Sequence, residues 1–182
     1  MKCFSPVVVC VLLMAVGCDK PGPQASGAPG TPSGSSGDAV LPGSLFLSTG
    51  PGEGRTPEEV KKSAKAGDTV VIQGLVGGSR DPFIAGRAVF TIVGSGLKPC
   101  VTDKGEACCN TPWDYCCDTK EDIAAHAATI RVVDEGGAPL KASIKGQHGI
   151  KELSEVVIVG SIAQVDGKVL VVNATGVFVA KP

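Results

Sequence analysis

Five of the eight cysteines in this chain fall within one short segment, and this segment constrains the fold more than any other feature. The five are Cys100, Cys108, Cys109, Cys116 and Cys117. The segment has no apolar periodicity from which to build a core of its own. Bonds to sulfur must therefore order it, either as disulfides or as ligands of a metal ion.

The amino terminus has the features of a secretory signal. Lys2 precedes an apolar stretch over residues 7–16, which is shorter than the roughly 20 residues that a membrane span needs. The sequence then reads Ala15-Val16-Gly17-Cys18. It resembles the lipobox of bacterial lipoproteins, although leucine is usual at the position of Ala15. The resemblance implies removal of residues 1–17 and a lipid anchor on Cys18. The alternative is an ordinary signal peptide that leaves a free thiol.

A linker rich in proline, glycine and serine follows over residues 18–44. It has almost no large apolar side chain, so burial cannot offset the entropy that ordering would cost. We expect a flexible tether between a membrane and a folded domain over residues 45–182. The expected location is the extracytoplasmic side of the cell envelope, facing the periplasm.

The domain is predicted to be mainly β. One short helix is predicted to begin after Thr56, where Pro57 and Glu59 complete a start signal, and to end by Ala66. We expect it to pack through Val60 and Ala64, and we expect its lysines to form a solvated face: Lys61, Lys62 and Lys65. Five β segments follow, and Asp166-Gly167 between the last two is a strong hairpin signal. The predicted strands are residues 69–76, 88–93, 129–133, 156–164 and 169–179.

The order of these elements resembles the OB-fold, a five-stranded barrel. Three strands are followed by a short helical link near residues 148–153 and a terminal hairpin, and Gly74 predicts a bend or bulge in the first strand. An open β sandwich is the alternative. OB-folds that bind nucleic acid stack bases on aromatic side chains, but here the second and third strands carry only Phe90. With a net charge of −1, nucleic acid is not an expected partner.

Disulfides are the first interpretation of the cysteine cluster, because the compartment outside the inner membrane is oxidising. Cys100 and Cys109 would each pair with one of Cys116 and Cys117. A bridge that closes a loop of this size contributes about 3 kcal/mol, which is enough to order it. Cys108 is then left as a free thiol or enters an alternative pairing.

A thiolate metal site is the second interpretation. Cys100, Cys109, Cys116 and Cys117 would surround Zn²⁺ tetrahedrally, or bind Cu(I) or iron. The spacing differs from the paired cysteines of zinc ribbons, and vicinal cysteines suit copper or an iron–sulfur centre better than zinc. Thiol–disulfide exchange by Cys108-Cys109 or Cys116-Cys117 is a third interpretation, but the activating features of such thiols are missing.

Trp113, Asp114 and Tyr115 lie between the two vicinal pairs, and they include the only tryptophan and the only tyrosine of the chain. We expect the two aromatic side chains to form a small core over the sulfurs. Alternatively, the three residues wall a pocket or present an anchor to a partner. The acidic residues after Cys117 predict a short helix capped near Asp118 or Thr119.

The insert between the second and third strands, residues 94–128, resembles one in a group of bacterial exported lipoproteins. The matching residues are Cys109-x-Thr-Pro-Trp-Asp-Tyr-Cys-Cys after an upstream cysteine, together with Asp81-Pro82-Phe83 and residues 86–90. The resemblance spans residues 68–179. It implies an OB-like domain that carries a cysteine-rich insert, and it implies no activity.

Signals for an enzyme are few. The only histidines are His126 and His148, either of which is a potential metal ligand, and the common hydrolase, zinc-protease and phosphate-loop motifs are missing. We therefore expect no catalytic residue. The expected function is a lipid-tethered module that binds an envelope protein or a small ligand. The alternative is metal handling or electron transfer. Haem handling is a third possibility, by analogy with membrane-anchored OB-fold haem chaperones, but their attachment motif is missing.

Overall fold

The structure is a computed structural model that describes residues 40–102 and 105–182. The predicted signal segment, Cys18 and the tether up to residue 39 lie outside the described residues. Within the described ranges, none of the helices is long and apolar enough to cross a membrane. Leu41 is already buried in the core, so the packed domain includes residues before the expected start at residue 45.

The described part is mainly β, with one five-stranded mixed sheet and two helices. The strands are β1 (Thr69–Val76), β2 (Val89–Val93), β3 (Ala127–Arg131), β4 (Glu155–Asp166) and β5 (Val169–Lys181). The helices are α1 (Pro57–Ser63) and α2 (Lys120–His126), and single 3-10 turns lie at Gly43–Leu45, Pro112–Asp114 and Gln147–Gly149. The predicted strands and helices are therefore confirmed, with their ends shifted by a few residues.

The five strands form a closed ring in the order β1-β2-β3-β5-β4, because β4 pairs back with β1. All neighbours are antiparallel except β3 and β5, which are parallel. Val93 at the end of β2 lies opposite Ala127 at the start of β3. The insert, observed over residues 94–126, therefore leaves and re-enters the ring at a pair of facing residues.

Alternate side chains of the strands fill the ring with one apolar core. Every strand places a side chain with no exposed surface in this core: Ile72, Phe90, Ile130, Ile158 and Val172. Because Phe90 is fully buried, it is not available to stack on a base. The core is thus independent of the insert, whose cysteines all lie outside it, although Cys100 is itself buried.

Gly74 allows β1 to approach the end of β2 closely, and it does not form the predicted bulge. It pairs in regular register with Val156 of β4. A Cβ atom at position 74 would lie 2.6 Å from the carbonyl oxygen of Val93, so only glycine fits. The register irregularities occur instead between β4 and β5, for example at Val159/Gly160.

The start of α1 follows the predicted pattern. The backbone N–H of Thr56 donates a hydrogen bond to Glu59 Oε2 at 2.9 Å, and Pro57 occupies the first helical position. This backbone hydrogen bond lowers the pKa of Glu59. Val60 is fully buried, so the helix packs on the core through the expected side.

The prediction that the lysines of α1 form a solvated face is wrong for Lys61. This residue is half-buried, and its Nζ donates hydrogen bonds to the carbonyl oxygens of Ala124, Ala125 and Ala127 at 2.7, 3.0 and 2.6 Å. Those carbonyls end α2, where the helix itself supplies no donors. Lys61 therefore caps a helix that is distant in sequence.

Candidate metal centre

The first half of the insert folds back on itself and places Cys108 and Cys109 beside Cys100. The backbone N–H of Cys108 donates to the carbonyl oxygen of Cys100 at 2.9 Å, and Val101 pairs with Ala107 in an isolated bridge. The backbone N–H of Cys100 donates to the carbonyl oxygen of Pro112 at 2.9 Å. These bonds join the two halves of the insert.

A tight turn directs the second vicinal pair towards Cys100. The 3-10 turn at Pro112–Asp114 ends at Tyr115, which has a left-handed backbone with φ of 56°. Asp114 fastens this turn, because its Oδ2 accepts a hydrogen bond from Thr111 Oγ1 at 2.7 Å and its Oδ1 accepts one from the backbone N–H of Cys116 at 2.9 Å. The hydrogen bond from Thr111 is the main cause that lowers the pKa of Asp114.

Four of the five sulfurs approach one another. Cys100 Sγ lies 3.6 Å from the sulfurs of both Cys116 and Cys117, and Cys116 Sγ lies 3.7 Å from Cys109 Sγ. All three sulfurs of Cys100, Cys116 and Cys117 lie within 4.8 Å of one another, a geometry that can hold a metal ion. Cys108 is exposed and belongs to no such group among the described residues.

The expected disulfides are not formed among the described cysteines. A disulfide has a sulfur–sulfur distance of about 2.05 Å, whereas the sulfur separations of Cys100 from Cys116 and Cys117 are 3.6 Å. The sequence thus identified the four residues that meet, while the bond expected between them is replaced by contact between thiols.

A second group shares Cys116 with the first. The sulfurs of Cys109 and Cys116 and a carboxylate oxygen of Asp114 also lie within 4.8 Å of one another. Asp114, considered from the sequence only as part of a pocket or anchor, is therefore also a potential oxygen ligand.

Cys100, Cys116 and Cys117 differ in exposure and in the direction in which their pKa is shifted. Cys100 is 8% exposed, whereas Cys116 and Cys117 are exposed. Burial raises the pKa of Cys100, but hydrogen bonds from the Cys117 backbone and from the neighbouring thiols outweigh it, so this pKa lies below its usual value. The hydrogen bond with Cys100 raises the pKa of both Cys116 and Cys117.

Trp113 and Tyr115 attach the insert to the segment after β1. The indole N–H of Trp113 donates to the carbonyl oxygen of Arg80 at 3.0 Å, and the Trp113 carbonyl accepts a hydrogen bond from Gly78 at 2.8 Å. Tyr115 is fully buried, and its hydroxyl has no hydrogen-bond partner among the described residues. Burial raises its pKa to about 12. Tyr115 is thus buried, while Trp113 is only half-buried, and a core of both rings over the sulfurs stays a prediction.

A cavity of about 560 Å³ adjoins the cluster, and Cys116 forms part of its wall. Asp114 and Tyr115 also line it, whereas Trp113, the third residue of the pocket alternative from the sequence, does not. Two further wall residues, Arg80 and Lys120, were not predicted, because isolated exposed cations carry no pattern in the sequence.

Neither of the two histidines belongs to a potential metal-binding group in the described ranges. His126 ends α2, with Nδ1 2.9 Å from the carbonyl oxygen of Asp122. His148 stacks on Phe46, with ring centroids 4.0 Å apart. The predicted cap of α2 is confirmed, since Thr119 Oγ1 accepts a hydrogen bond from the backbone N–H of Asp122.

No protein-family model matches the chain, and comparisons with curated proteins and with solved structures find no match. The geometry of the cysteine cluster is therefore the basis on which a function can be assigned.

Proposed function

We propose that this protein is a lipid-anchored protein of the cell envelope whose domain binds a thiophilic metal ion. Cys100, Cys116 and Cys117 hold the ion, and Cys109, whose sulfur lies 3.7 Å from that of Cys116, moves towards it as the fourth ligand. The observation that carries this proposal is the mutual approach of three thiols, whose sulfurs all lie within 4.8 Å of one another. An ion at this position would give an insert without a core of its own the bonds that order it.

The sulfur separations support one ion shared by several thiolates. With a Zn–S bond of about 2.3 Å, two sulfurs on a tetrahedral ion lie about 3.8 Å apart. The separations of 3.6 Å from Cys100 to Cys116 and to Cys117, and of 3.7 Å from Cys116 to Cys109, are close to this value. They exceed the length of a disulfide by about 1.6 Å.

Four thiolates in tetrahedral arrangement suit Zn²⁺ or iron, and soft thiolates also select Cu(I). We expect Zn²⁺, because the separations match its bond length. The Asp114 carboxylate is the alternative fourth ligand, since one of its oxygens lies within 4.8 Å of the sulfurs of both Cys109 and Cys116.

The exposure of two ligands supports a role in metal handling. Cys116 and Cys117 are exposed. An ion held at this surface is accessible to a competing ligand or to a second protein of the envelope. Such a partner would exchange the ion at the side of Cys116 and Cys117.

The scaffold is an OB-like barrel in this proposal. The ring order β1-β2-β3-β5-β4 and its closure onto β1 support it, as does the terminal hairpin of β4 and β5. The buried Phe90 and the net charge of −1 favour a role without nucleic acid. The sequence Ala15-Val16-Gly17-Cys18 supports lipid attachment at Cys18 and a location on the periplasmic side.

A module stapled by disulfides, which binds another envelope protein, is the second candidate. The contacts of Cys100 with Cys117 and of Cys109 with Cys116 form two pairs that share no sulfur. Small movements would close both pairs into bridges, and the oxidising compartment favours this reaction. Metal and disulfides compete for the same four sulfurs.

Metal content and thiol state, measured together, separate the two candidates. The mature lipoprotein is purified from its own membrane without added thiol or chelator and analysed by elemental mass spectrometry and thiol titration. We expect about one equivalent of metal per chain and no bridge between the cluster cysteines. Two bridges without metal would refute the metal site and support the staple.

Single substitutions give this experiment a matched pair. Cys100→Ser removes the sulfur that contacts two others and should abolish metal binding. Cys108→Ser removes an exposed thiol outside the sulfur groups and should retain the metal. Equal loss in both variants would contradict the assigned ligand set.

A further inference from the structure

The cavity beside the cysteine cluster has a volume of about 560 Å³, and the proposed metal site does not use it. Its walls come from residues 78–80, from residues 114–116 and from one side of α2. It shares with the cluster Cys116 and also Asp114, the alternative fourth ligand. A volume of this size accommodates a small organic molecule.

Two positive charges on the wall have no protein partner. Arg80 and Lys120 are both exposed. In the described ranges, the ion pair with a nitrogen–oxygen distance within 4.0 Å joins Lys145 to Glu152. Neither Arg80 nor Lys120 forms an ion pair within the described ranges, so both charges remain available to a carboxylate that enters the cavity.

A negative charge on the same wall is also available. Asp114 is occupied, because both of its carboxylate oxygens accept hydrogen bonds within the turn. Asp118 is half-buried, lines the cavity and forms no ion pair in the part of the chain that the structure describes. A ligand that carried only one sign of charge would leave Asp118 or the two cations without a partner.

The remaining wall is apolar. Ile123 and Ala124 of α2, with Ala127 at the start of β3, line the cavity and are half-buried. Contact with an aliphatic group would remove this surface from water, which is favourable. Tyr115 lines the cavity as well, and its buried hydroxyl lacks an acceptor among the described residues.

We propose that this cavity binds a small zwitterion of the amino-acid type that has an aliphatic side chain. The carboxylate lies between Arg80 and Lys120, the ammonium lies at Asp118, and the aliphatic group lies against Ile123. The ligand contacts the charged and apolar residues of the wall and not the metal ion, and the metal content of each sample separates a failure of one site from a failure of the other.

L-Leucine and two analogues that share its carbon skeleton test the proposal. 4-Methylpentanoate lacks the ammonium, and 3-methylbutylamine lacks the carboxylate. Calorimetric titration of the mature chain at neutral pH should detect leucine binding. Each analogue should bind about tenfold more weakly or worse, because each leaves a charged group of the cavity unpaired.

Variants assign the charges to residues. Arg80→Met and Asp118→Asn should each weaken leucine binding about tenfold or more. Arg87→Met and Asp166→Asn are the matched controls, because both residues are exposed and outside the cavity wall. Both controls should bind leucine as the wild type does.

Several outcomes would overturn the proposal. They are the absence of leucine binding, equal binding of leucine and 4-methylpentanoate, and unchanged leucine affinity in Arg80→Met and Asp118→Asn. Metal content is measured on the same samples. Metal-loaded protein that fails to bind leucine refutes the cavity site alone, and leucine binding by metal-free protein supports it whatever the fate of the metal proposal.

Discussion

Lys61 Nζ lies 2.6 Å from the carbonyl oxygen of Ala127, so the first helix caps the end of the second across a large separation in sequence. The ammonium group donates to two further carbonyls, those of Ala124 and Ala125. Its three donors thus meet three acceptors that end the insert. One side chain joins the carboxyl end of the insert to the helix that packs on the ring.

Loss of this cap should destabilise the domain. Lys61→Met removes the donors and leaves three partly buried carbonyls without these partners. We expect a decrease of about 1–2 kcal/mol in the free energy of unfolding. This value includes a reduction for solvent screening, because Lys61 is only half-buried. Urea unfolding followed by circular dichroism measures it. Lys62→Met, at an exposed neighbour, should change it by less than about 0.5 kcal/mol.

The same lysine should make stability depend on pH. Burial lowers the pKa of Lys61 from 10.5 to about 8, although the negative charge of Glu58 acts to raise it. Between these two values the unfolded chain binds more protons than the folded chain, so the contribution of Lys61 to the free energy of unfolding rises with pH. Below the lower value, the penalty for the buried charge is fully present.

Urea unfolding of the wild type and Lys61→Met at about pH 7.5 and about pH 9.5 tests this sign. The difference between the two proteins should widen at the higher pH. A difference that stays constant, or that shrinks, would show that the pKa of Lys61 is not lowered.

Removal of the metal should expose a defined pattern of oxidation. Treatment of metal-free protein with a small-molecule disulfide should join Cys100 to Cys117 and Cys109 to Cys116, the two contacting pairs that share no sulfur. Peptide mapping by mass spectrometry after alkylation identifies the bridges. Zn²⁺ added first should slow the reaction, because coordinated thiolates are less available to attack. A map dominated by bridges to Cys108 would contradict the geometry.

Gly74 should not accept a side chain. The Cβ of Gly74→Ala would meet the carbonyl oxygen of Val93 at 2.6 Å, which forces β1 and β2 apart. We expect a loss of about 1–3 kcal/mol in thermal or urea unfolding. Gly43→Ala is the control, because a Cβ there would find no atom within 4 Å. Equal stability of both variants would show that β1 and β2 can separate at no cost.

The strands could be predicted because each is a β-branched run that ends at glycine or charged residues. The hairpin could be placed, but its turn could not be described. Asp166 pairs with Val169, so Gly167 and Lys168 form the turn, and of these only Gly167 has positive φ. Glycine at the first central position is typical of a type II′ turn, whereas the Asp-Gly signal predicts type I′.

The cysteine cluster could be predicted in its members but not in its bonds. Spacing along the chain identified Cys100, Cys109, Cys116 and Cys117, and the distances between their sulfurs depend on the turn before Cys116. That turn requires a left-handed backbone at Tyr115, which large side chains rarely adopt and which no local pattern indicates.

Lys61 shows the limit of reasoning from local pattern. Its neighbour Lys62 has the same chemistry and is exposed, as the sequence predicts for both. Only the position of α2 makes the two different, because it brings three carbonyl oxygens to one lysine. The cavity residues Arg80 and Lys120 were missed for the same reason, since separate segments bring them together.

Val93 and Ala127 are paired across β2 and β3, so the cysteine-rich segment begins and ends at neighbouring backbone positions. It is therefore an insertion into a β-hairpin that can be exchanged as a unit. A short turn could replace it without spreading the strands, apart from the loss of the Lys61 contact. Conversely, the segment could be transplanted to another antiparallel pair with similar ends. Substitutions in the insert can thus change the reactivity of its cysteines, and substitutions in the ring can change the stability of the domain, as separate properties.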